Sequence, residues 1–348
     1  MNVGICGIGF MGMIHFLAYK DIPGVQVKAI CEQNFPERLK GDWRAIKGNF
    51  GPQGEVMDLT GIASYEKLDD MLADPNLDMI DICLPPSAHA AATISALKSG
   101  KHVFCEKPIS LTAQDADAMM QAAKDSCGGQ CSQSGKMLMI GHVLPFFGEY
   151  QFAWQSMQSG RFGKLIGGHF RRVISDPVWL NNFYSMETCG GPMLDLHIHD
   201  AHYIRLLFGM PKQVQSVGRL RGDVPEYFDT HFIFDDPNLV VTATSGTIQQ
   251  QGRPFTHGYE IHFEKATILF DSFMGKPVTI LDEAGGVVTP EIPGLGDIGA
   301  FTNELTDATN AIKNGKPSAI LDGQLARDAL VICYGEIASM LRVASGEL

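Results

Sequence analysis

No stretch of this chain approaches the ~18 consecutive apolar residues that a membrane-spanning helix needs, so no membrane partner is expected. Positive charge is also in the minority: 27 Lys and Arg face 39 Asp and Glu, for a formal net charge of −12. A nucleic-acid surface requires clustered Lys and Arg, and this balance argues against one. Internal repeats and low-complexity segments are missing, which removes solenoids and disordered tails from consideration. The eight cysteines lack disulfide-framework spacing, and Cys6, Cys31, Cys83 and Cys105 sit inside apolar runs. That pattern suits reduced thiols in a cytoplasm. Cys127 and Cys131 share a polar Gly/Ser loop and form a candidate metal or redox pair, but no second ligand pair follows them. The first strand pattern begins at residue 2, which leaves no room for a signal peptide, so a cytoplasmic location is expected.

What is present points to two domains, since 348 residues are many for one core. Up to residue 143 strand and helix patterns alternate, which means a parallel sheet wrapped by helices. Strands are expected at Asn2–Cys6, Val25–Cys31, Asp78–Leu84, Lys101–Cys105 and Met137–Ile140. A helix over 87–99 would carry Ala90, Ile94 and Leu97 on one face, and another spans about 112–123. Residues 33–61, with Trp43 and Phe50, exceed a usual connection and read as an insertion near the adenosine end of a cofactor. From 144 to 348 the order changes to strand after strand with grouped helices, an α+β pattern. Tyr259–Phe263 alternates strictly, as a half-buried antiparallel strand does.

Three motifs carry chemistry. Gly7-Ile8-Gly9-Phe10-Met11-Gly12 lies between a strand and an apolar helical run, the placement a dinucleotide fingerprint requires. Gly7 permits the turn, Gly9 the approach of a pyrophosphate, and Gly12 the close packing of helix on strand. Glu32 ends the second strand twenty positions past Gly12, where it can bind the ribose hydroxyls and repel a 2′-phosphate. NAD is therefore expected over NADP, with Arg38 and Lys40 the residues able to answer a phosphate. In Glu106-Lys107-Pro108, proline stops a strand and leaves Lys107 at its carboxyl end, the ligand-binding edge of an open parallel sheet. A lysine there can transfer a proton when burial and neighbours lower its pKa. Finally, after Gly190-Gly191, Asp195, His199 and His202 fall at i, i+4 and i+7 of a helix over 191–208. Asp195 can fix the tautomer of His199, making it a general base toward a hydroxyl. A divalent metal held by the three, or polar packing of His197 and His202 between domains, stand as alternatives.

Together, G-I-G-F-M-G, P-P-S-A-H around His89, G-K-H-V-F-C-E-K-P and G-G-P-M-L-D-L-H-I-H resemble the glucose–fructose oxidoreductase / inositol dehydrogenase / rhizopine-catabolism (Gfo/Idh/MocA) family over nearly the whole chain. The resemblance implies an N-terminal Rossmann doubly wound parallel sheet (1–143) and a C-terminal α+β domain (144–348) with a large, mostly antiparallel open sheet. It implies NAD and hydride transfer at a secondary carbinol of a sugar, inositol or related polyol. By motif position Lys107 would contact substrate and nicotinamide ribose, Asp195 would be the acid, and His199 would move the proton. Dinucleotide contacts would come from Gly7, Gly9, Phe10, Met11, Gly12, Glu32, Pro85, His89, Glu106 and Lys107. Pro108 would follow a cis bond. Arg171, Trp179 and His202 are loose candidates for substrate contact, with Asn181 and Tyr184 nearby in sequence. His197 stands where many members have glycine, and His202 where many have a second acid. A glycosidase or lyase using transient oxidation, or a dinucleotide-sensing regulator, are the other readings. Catalysis is expected to need no divalent metal. A homodimer or homotetramer is expected through the second sheet, whose Phe232, Phe234, Val240, Ile261 and Phe263 look too many to turn inward.

Overall fold

A computed structural model describes residues 1–48, 50–126, 135–178, 180, 182–296 and 298–346. They form two compact units, Met1–Phe146 with Leu295–Arg327, and Phe147–Gly294 with Asp328–Leu348. The first unit holds a six-stranded parallel sheet of β1 (Asn2–Cys6), β2 (Gln26–Cys31), β3 (Ala63–Tyr65), β4 (Met79–Ile82), β5 (His102–Glu106) and β6 (Leu138–Gly141). Its order is β3-β2-β1-β4-β5-β6, the doubly wound Rossmann order, with the switch point between β1 and β4. β4 is buried along its whole length and β5 at all but its first residue, as helices on both faces of a parallel sheet require.

Helices α1 (Phe10–Tyr19), α2 (Leu68–Leu72), α3 (His89–Lys98) and α4 (Ala113–Asp125) connect the strands. α4 starts where Thr112 Oγ1 accepts the Asp115 N–H at 3.1 Å, a side-chain N-cap. The buried face of α3 is His89, Ala92, Thr93, Ala96 and Leu97, so Ala90 and Ile94 are not on it. Two polar residues belong to that face, and a stripe of apolar residues alone was a misleading guide. In the insertion, Trp43 is fully buried against Phe16, and Phe50 stacks on Phe301 at 5.4 Å.

The second unit holds β7 (Leu165–Ser175), β8 (Gln213–Arg221), β9 (Val224–Ile233), β10 (Val240–Ile248), β11 (Thr256–Phe263), β12 (Ala266–Asp271), β13 (Lys276–Asp282) and β14 (Val287–Val288). Their order is β14-β13-β12-β11-β7-β10-β9-β8, and only the β7–β10 pair is parallel. Helices α5 (Gly148–Ser159) and α6 (Ile198–Phe208) cover one face through Tyr150 on Tyr259, Tyr203 on Phe170 and Phe208 on Phe234. Phe232, Phe234, Ile261 and Phe263 all point into this core, which corrects the expectation that some would face outward. Of the five, only Val240 is exposed. Strand alternation instead gives the other face to His169, Arg171, Thr242, Asp229 and Glu260, tied by His169–Thr242 at 2.8 Å and Arg171–Asp271 at 2.6 Å.

Beyond the second sheet come α7 (Gly299–Asn314) and α8 (Gly323–Ser345). The expected boundary at 143/144 lies close to the first crossing between units, but the return of 295–327 to the first unit was not foreseen. That return rests on long-range pairing: Leu321 O accepts the Ile140 N–H at 3.0 Å, and Met139 bridges Asp322 beside β6. Local periodicity does not encode such pairings.

Candidate active site

Between β1 and α1 the backbone forms a cradle. Gly7 has φ +93°, and a Cβ there would lie 2.6 Å from the Cys83 carbonyl oxygen. A Cβ on Gly12 would lie 2.1 Å from Gly7 O, whereas Gly9 faces open space. α1 starts at Phe10 with no side-chain cap and no acid in its first turn, unlike α4. Its first N–H groups, from Phe10 and Met11 on, are left without the usual side-chain acceptor, and an anionic diphosphate meets that need. The donor set therefore fits the dinucleotide that the fingerprint implies.

Glu32 closes this cradle. Its Oε2 accepts the Ile8 N–H at 3.0 Å and its Oε1 the Asn34 N–H at 2.8 Å, which leaves further lone pairs for ribose hydroxyls. Arg38 does not reach out for a phosphate: its Nη1 donates to Ile8 O at 2.8 Å and its guanidinium lies 3.8 Å from the Phe35 ring centre.

At the carboxyl ends of β4 and β5, His89 is fully buried, with Nδ1 2.8 Å from Pro108 O and Nε2 2.8 Å from Leu84 O. Burial holds its pKa below the ordinary value, against two carbonyls that each ask for an N–H. His89 thus staples the turn after β4, which contains the exposed Pro85, to the turn after β5. Both ring nitrogens of this expected cofactor contact are engaged by backbone carbonyls. The Lys107–Pro108 peptide is cis, as the resemblance implied. Lys107 is half-buried. The Glu106 carboxyl points into the core: Oε2 accepts the Lys107 N–H at 3.0 Å and Oε1 lies 3.1 Å from His15 Nε2. The carboxyl of this expected cofactor contact thus holds the turn that carries Lys107.

Sequence reasoning missed the cluster behind Glu106. His15 is fully buried, with Nδ1 2.9 Å from Asp81 Oδ2 and 3.3 Å from Cys83 Sγ. Tyr19 donates its hydroxyl to the same Asp81 oxygen at 2.9 Å. Burial alone would suppress charge on His15, but Asp81 and Cys83 outweigh it and hold its pKa well above the ordinary value. Glu304 on α7 is fully buried, neither oxygen has a hydrogen-bond partner, and burial together with Glu106 pushes its pKa well up. A signal was available. Asp81 interrupts a four-residue buried strand, and His15 an otherwise apolar helical run.

In the second unit, Met193–His197 forms a π turn that runs into α6. The wider hydrogen-bond spacing of that turn replaces regular α-helix at Asp195, and α-helical geometry resumes at Ile198, ahead of His199 and His202. Asp195 and His199 are half-buried, and His202 is fully buried. His197 is not packing between domains. It sits inside the unit, with Nδ1 2.8 Å from Ser245 Oγ and Nε2 2.9 Å from Glu336 Oε1. Below the turn, Arg172 and Asp200 form a buried two-pronged ion pair at 2.6 and 3.1 Å. Arg171, a substrate candidate from the sequence, points the opposite way, onto the open face, and pairs with Asp271. A concavity of about 570 Å3 on that open face is lined by Arg171, His169 and Glu260 and lies across the sheet from the π turn. Tyr184 is engaged by Thr247 at 2.6 Å and Asp176 at 3.1 Å. Trp179, Asn181, Cys127 and Cys131 lie outside the described residues.

Residues 1–131 match the oxidoreductase family with an NAD-binding Rossmann fold, and residues 150–269 match the GFO/IDH/MocA C-terminal domain. The chain belongs to this family. Myo-inositol 2-dehydrogenase of Thermotoga maritima is 26% identical over 98% of this chain and 96% of its own length. A 2,7-anhydro-N-acetylneuraminate hydratase of Escherichia coli K12 is 25% identical over 63% of this chain and 52% of its own. In fold, a levoglucosan dehydrogenase solved with NADH and levoglucosan matches with a TM-score of 0.80 at 22% identity, covering 98% of this chain and 97% of that one.

Proposed function

We propose that this protein is an NAD-dependent dehydrogenase that moves a hydride between the nicotinamide and a secondary carbinol of a sugar, inositol or related polyol. The observation that carries this reading is the uncapped glycine-loop helix with Glu32 beside it, in the same unit as a strand-end lysine held by its own neighbouring glutamate. The α1 N-terminus binds the diphosphate and Glu32 orients the ribose while disfavouring a 2′-phosphate. Nicotinamide, when bound, supplies the acceptor for the electron pair. His199 takes the hydroxyl proton, Asp195 sets the state of its ring, and Lys107 orients the carbinol oxygen. None of these steps calls for a divalent metal.

Purified protein screened against polyols and glycosides, with nicotinamide absorbance and product both followed, tests the reading. Absorbance change with a polyol is expected. Product release with no net absorbance change would instead favour transient oxidation within an elimination or hydration, a reading supported by the likeness to the hydratase. A protein inert to the whole panel that still binds NADH would favour a sensing role.

The open face of the eight-stranded sheet, on which strand pairing places the exposed apolar side chains of Val217 and Leu281, supports self-association as a homodimer or homotetramer. Light scattering that finds only monomer at micromolar concentration would remove that reading. Thiols at Cys6, Cys31, Cys83 and Cys105, none in a disulfide, support a cytoplasmic location, and no helix among the described residues is long and apolar enough to cross a membrane.

A further inference from the structure

Lys107 is held by a chain of contacts that starts on the far side of the glycine loop. Its N–H is received by Glu106 Oε2, and the other oxygen of that carboxyl faces His15 Nε2 across 3.1 Å. His15 sits on α1, six residues after Gly9, so the helix whose N-terminus meets the diphosphate also carries the ring that faces Glu106. We propose that His15 is a positioning residue for Lys107: by facing Glu106 with Nε2, it fixes the carboxyl in the orientation that receives the Lys107 N–H. This rests on the reading of Lys107 as an active-site group.

The groups facing His15 are known from each element packed on it. Tyr19 comes from its own helix, Asp81 from β4 and Cys83 from just past its end, Glu106 from β5 and Glu304 from α7. Every one is an acid or a neutral donor, and His15 supplies the cluster's cation. Asp81, Tyr19 and Cys83 fix the Nδ1 side of the ring, which leaves Nε2 nowhere to turn but toward Glu106. The ring edge approaches the Glu106 oxygen out of line for a hydrogen bond, so the hold is mainly electrostatic. At 3.1 Å in a dry interior such a contact orients a carboxyl strongly.

His15, Asp81 and Cys83 can also be counted as metal ligands, since their ligand atoms lie within 4.8 Å of one another. Their spacing speaks for a hydrogen-bonded set. Two ligand atoms on a tetrahedral zinc stand ~3.2 Å apart or more, whereas His15 Nδ1 and Asp81 Oδ2 are 2.9 Å apart with Tyr19 already on the same oxygen.

The two ends of the ring can be tested separately. An asparagine amide reaches the place of Nδ1 and keeps Asp81, while a glutamine amide reaches the place of Nε2 and keeps Glu106. In protein labelled with 15N-lysine, the Lys107 amide signal is identified by its loss in Lys107→Met. The expected result is that this signal moves in His15→Asn and stays in place in His15→Gln. With the best substrate of the panel, kcat falls by roughly ten- to a hundredfold in His15→Asn, the scale of a misplaced reacting group. His15→Gln stays within about threefold of wild type. A purely structural role would lower the melting temperature of both and separate neither signal nor kcat. An unmoved Lys107 amide in folded His15→Asn, or equal shifts in the two variants, would overturn the inference. Should either variant not fold, Glu106→Gln, which keeps shape and removes charge, must move the same amide signal; an unmoved signal there overturns it equally. Normal turnover in Lys107→Met would remove the underlying reading, an outcome distinct from any of these.

Discussion

Arg172 and Asp200 in the second unit close on each other: two guanidinium nitrogens meet two carboxylate oxygens, and both side chains are buried. His197 nearby is likewise matched at both nitrogens. In the first unit, one imidazole faces Asp81, Glu106 and Glu304, and the last of these has neither oxygen hydrogen-bonded. Matched pairs fix a backbone at any pH where both partners keep their charge. An acid-rich set around one cation can stay buried only by holding protons, which ties its geometry to pH. The matched pairs support the π turn of Asp195, while the acid-rich cluster lies behind Lys107.

Five substitutions, one of them a second-site change, would break or sharpen this contrast. The largest effect is expected at the residue the first cluster holds: Lys107→Met should lower turnover by on the order of 10²-fold while the urea midpoint stays near wild type. Near-normal turnover would take Lys107 out of the mechanism. Arg172→Met comes next, because it strands the Asp200 carboxylate in a dry core and should cost about 3–5 kcal/mol in urea unfolding. Adding Asp200→Leu should recover most of that loss, and an equally unstable double variant would mean the pair is not closed as described.

Glu304→Gln tests the other design. Glu304 and His15 bind protons more tightly folded than unfolded, so the stability they contribute is complete below their ordinary values of 4.5 and 6.5. It drains as pH rises through the raised folded values. The glutamine variant should therefore lose less stability than wild type between pH ~6 and ~9, and parallel urea midpoints at both pH values would refute it. The smallest effect is expected at His257, which burial and then Arg172 lower to about 3. Its contribution is present above 6.5 and lost as pH falls, so His257→Gln should flatten the acid limb of the melting-temperature profile.

Much of the first sheet was legible because buried parallel strands and the glycine loop leave local marks: Asn2–Cys6, the break at Pro85 and the stop at Pro108 all appear where the pattern set them. The π turn was not legible, since Met193–His197 reads as ordinary helix and only the hydrogen-bond spacing distinguishes it. Arg171 and Arg172 are adjacent and chemically alike, and strand register alone sends one to the open face and the other beneath α6. His89 and Glu106 stand in ligand-binding motifs, yet their polar atoms serve the turns that present the ligand side. Motif position gives proximity to a site; which way a side chain points depends on partners far away in sequence.

The return of residues 295–327 to the first unit bears on the order in which the chain can fold as it is made. α7 places Phe301 against Phe50 and His15, and Leu321 completes the edge beside β6, so the cofactor domain lacks part of its wall until residue 327 has left the ribosome. Most of the second unit is synthesised before that moment. The glycine loop, though written first, thus gains the α7 packing on its helix only after most of the second unit has been made.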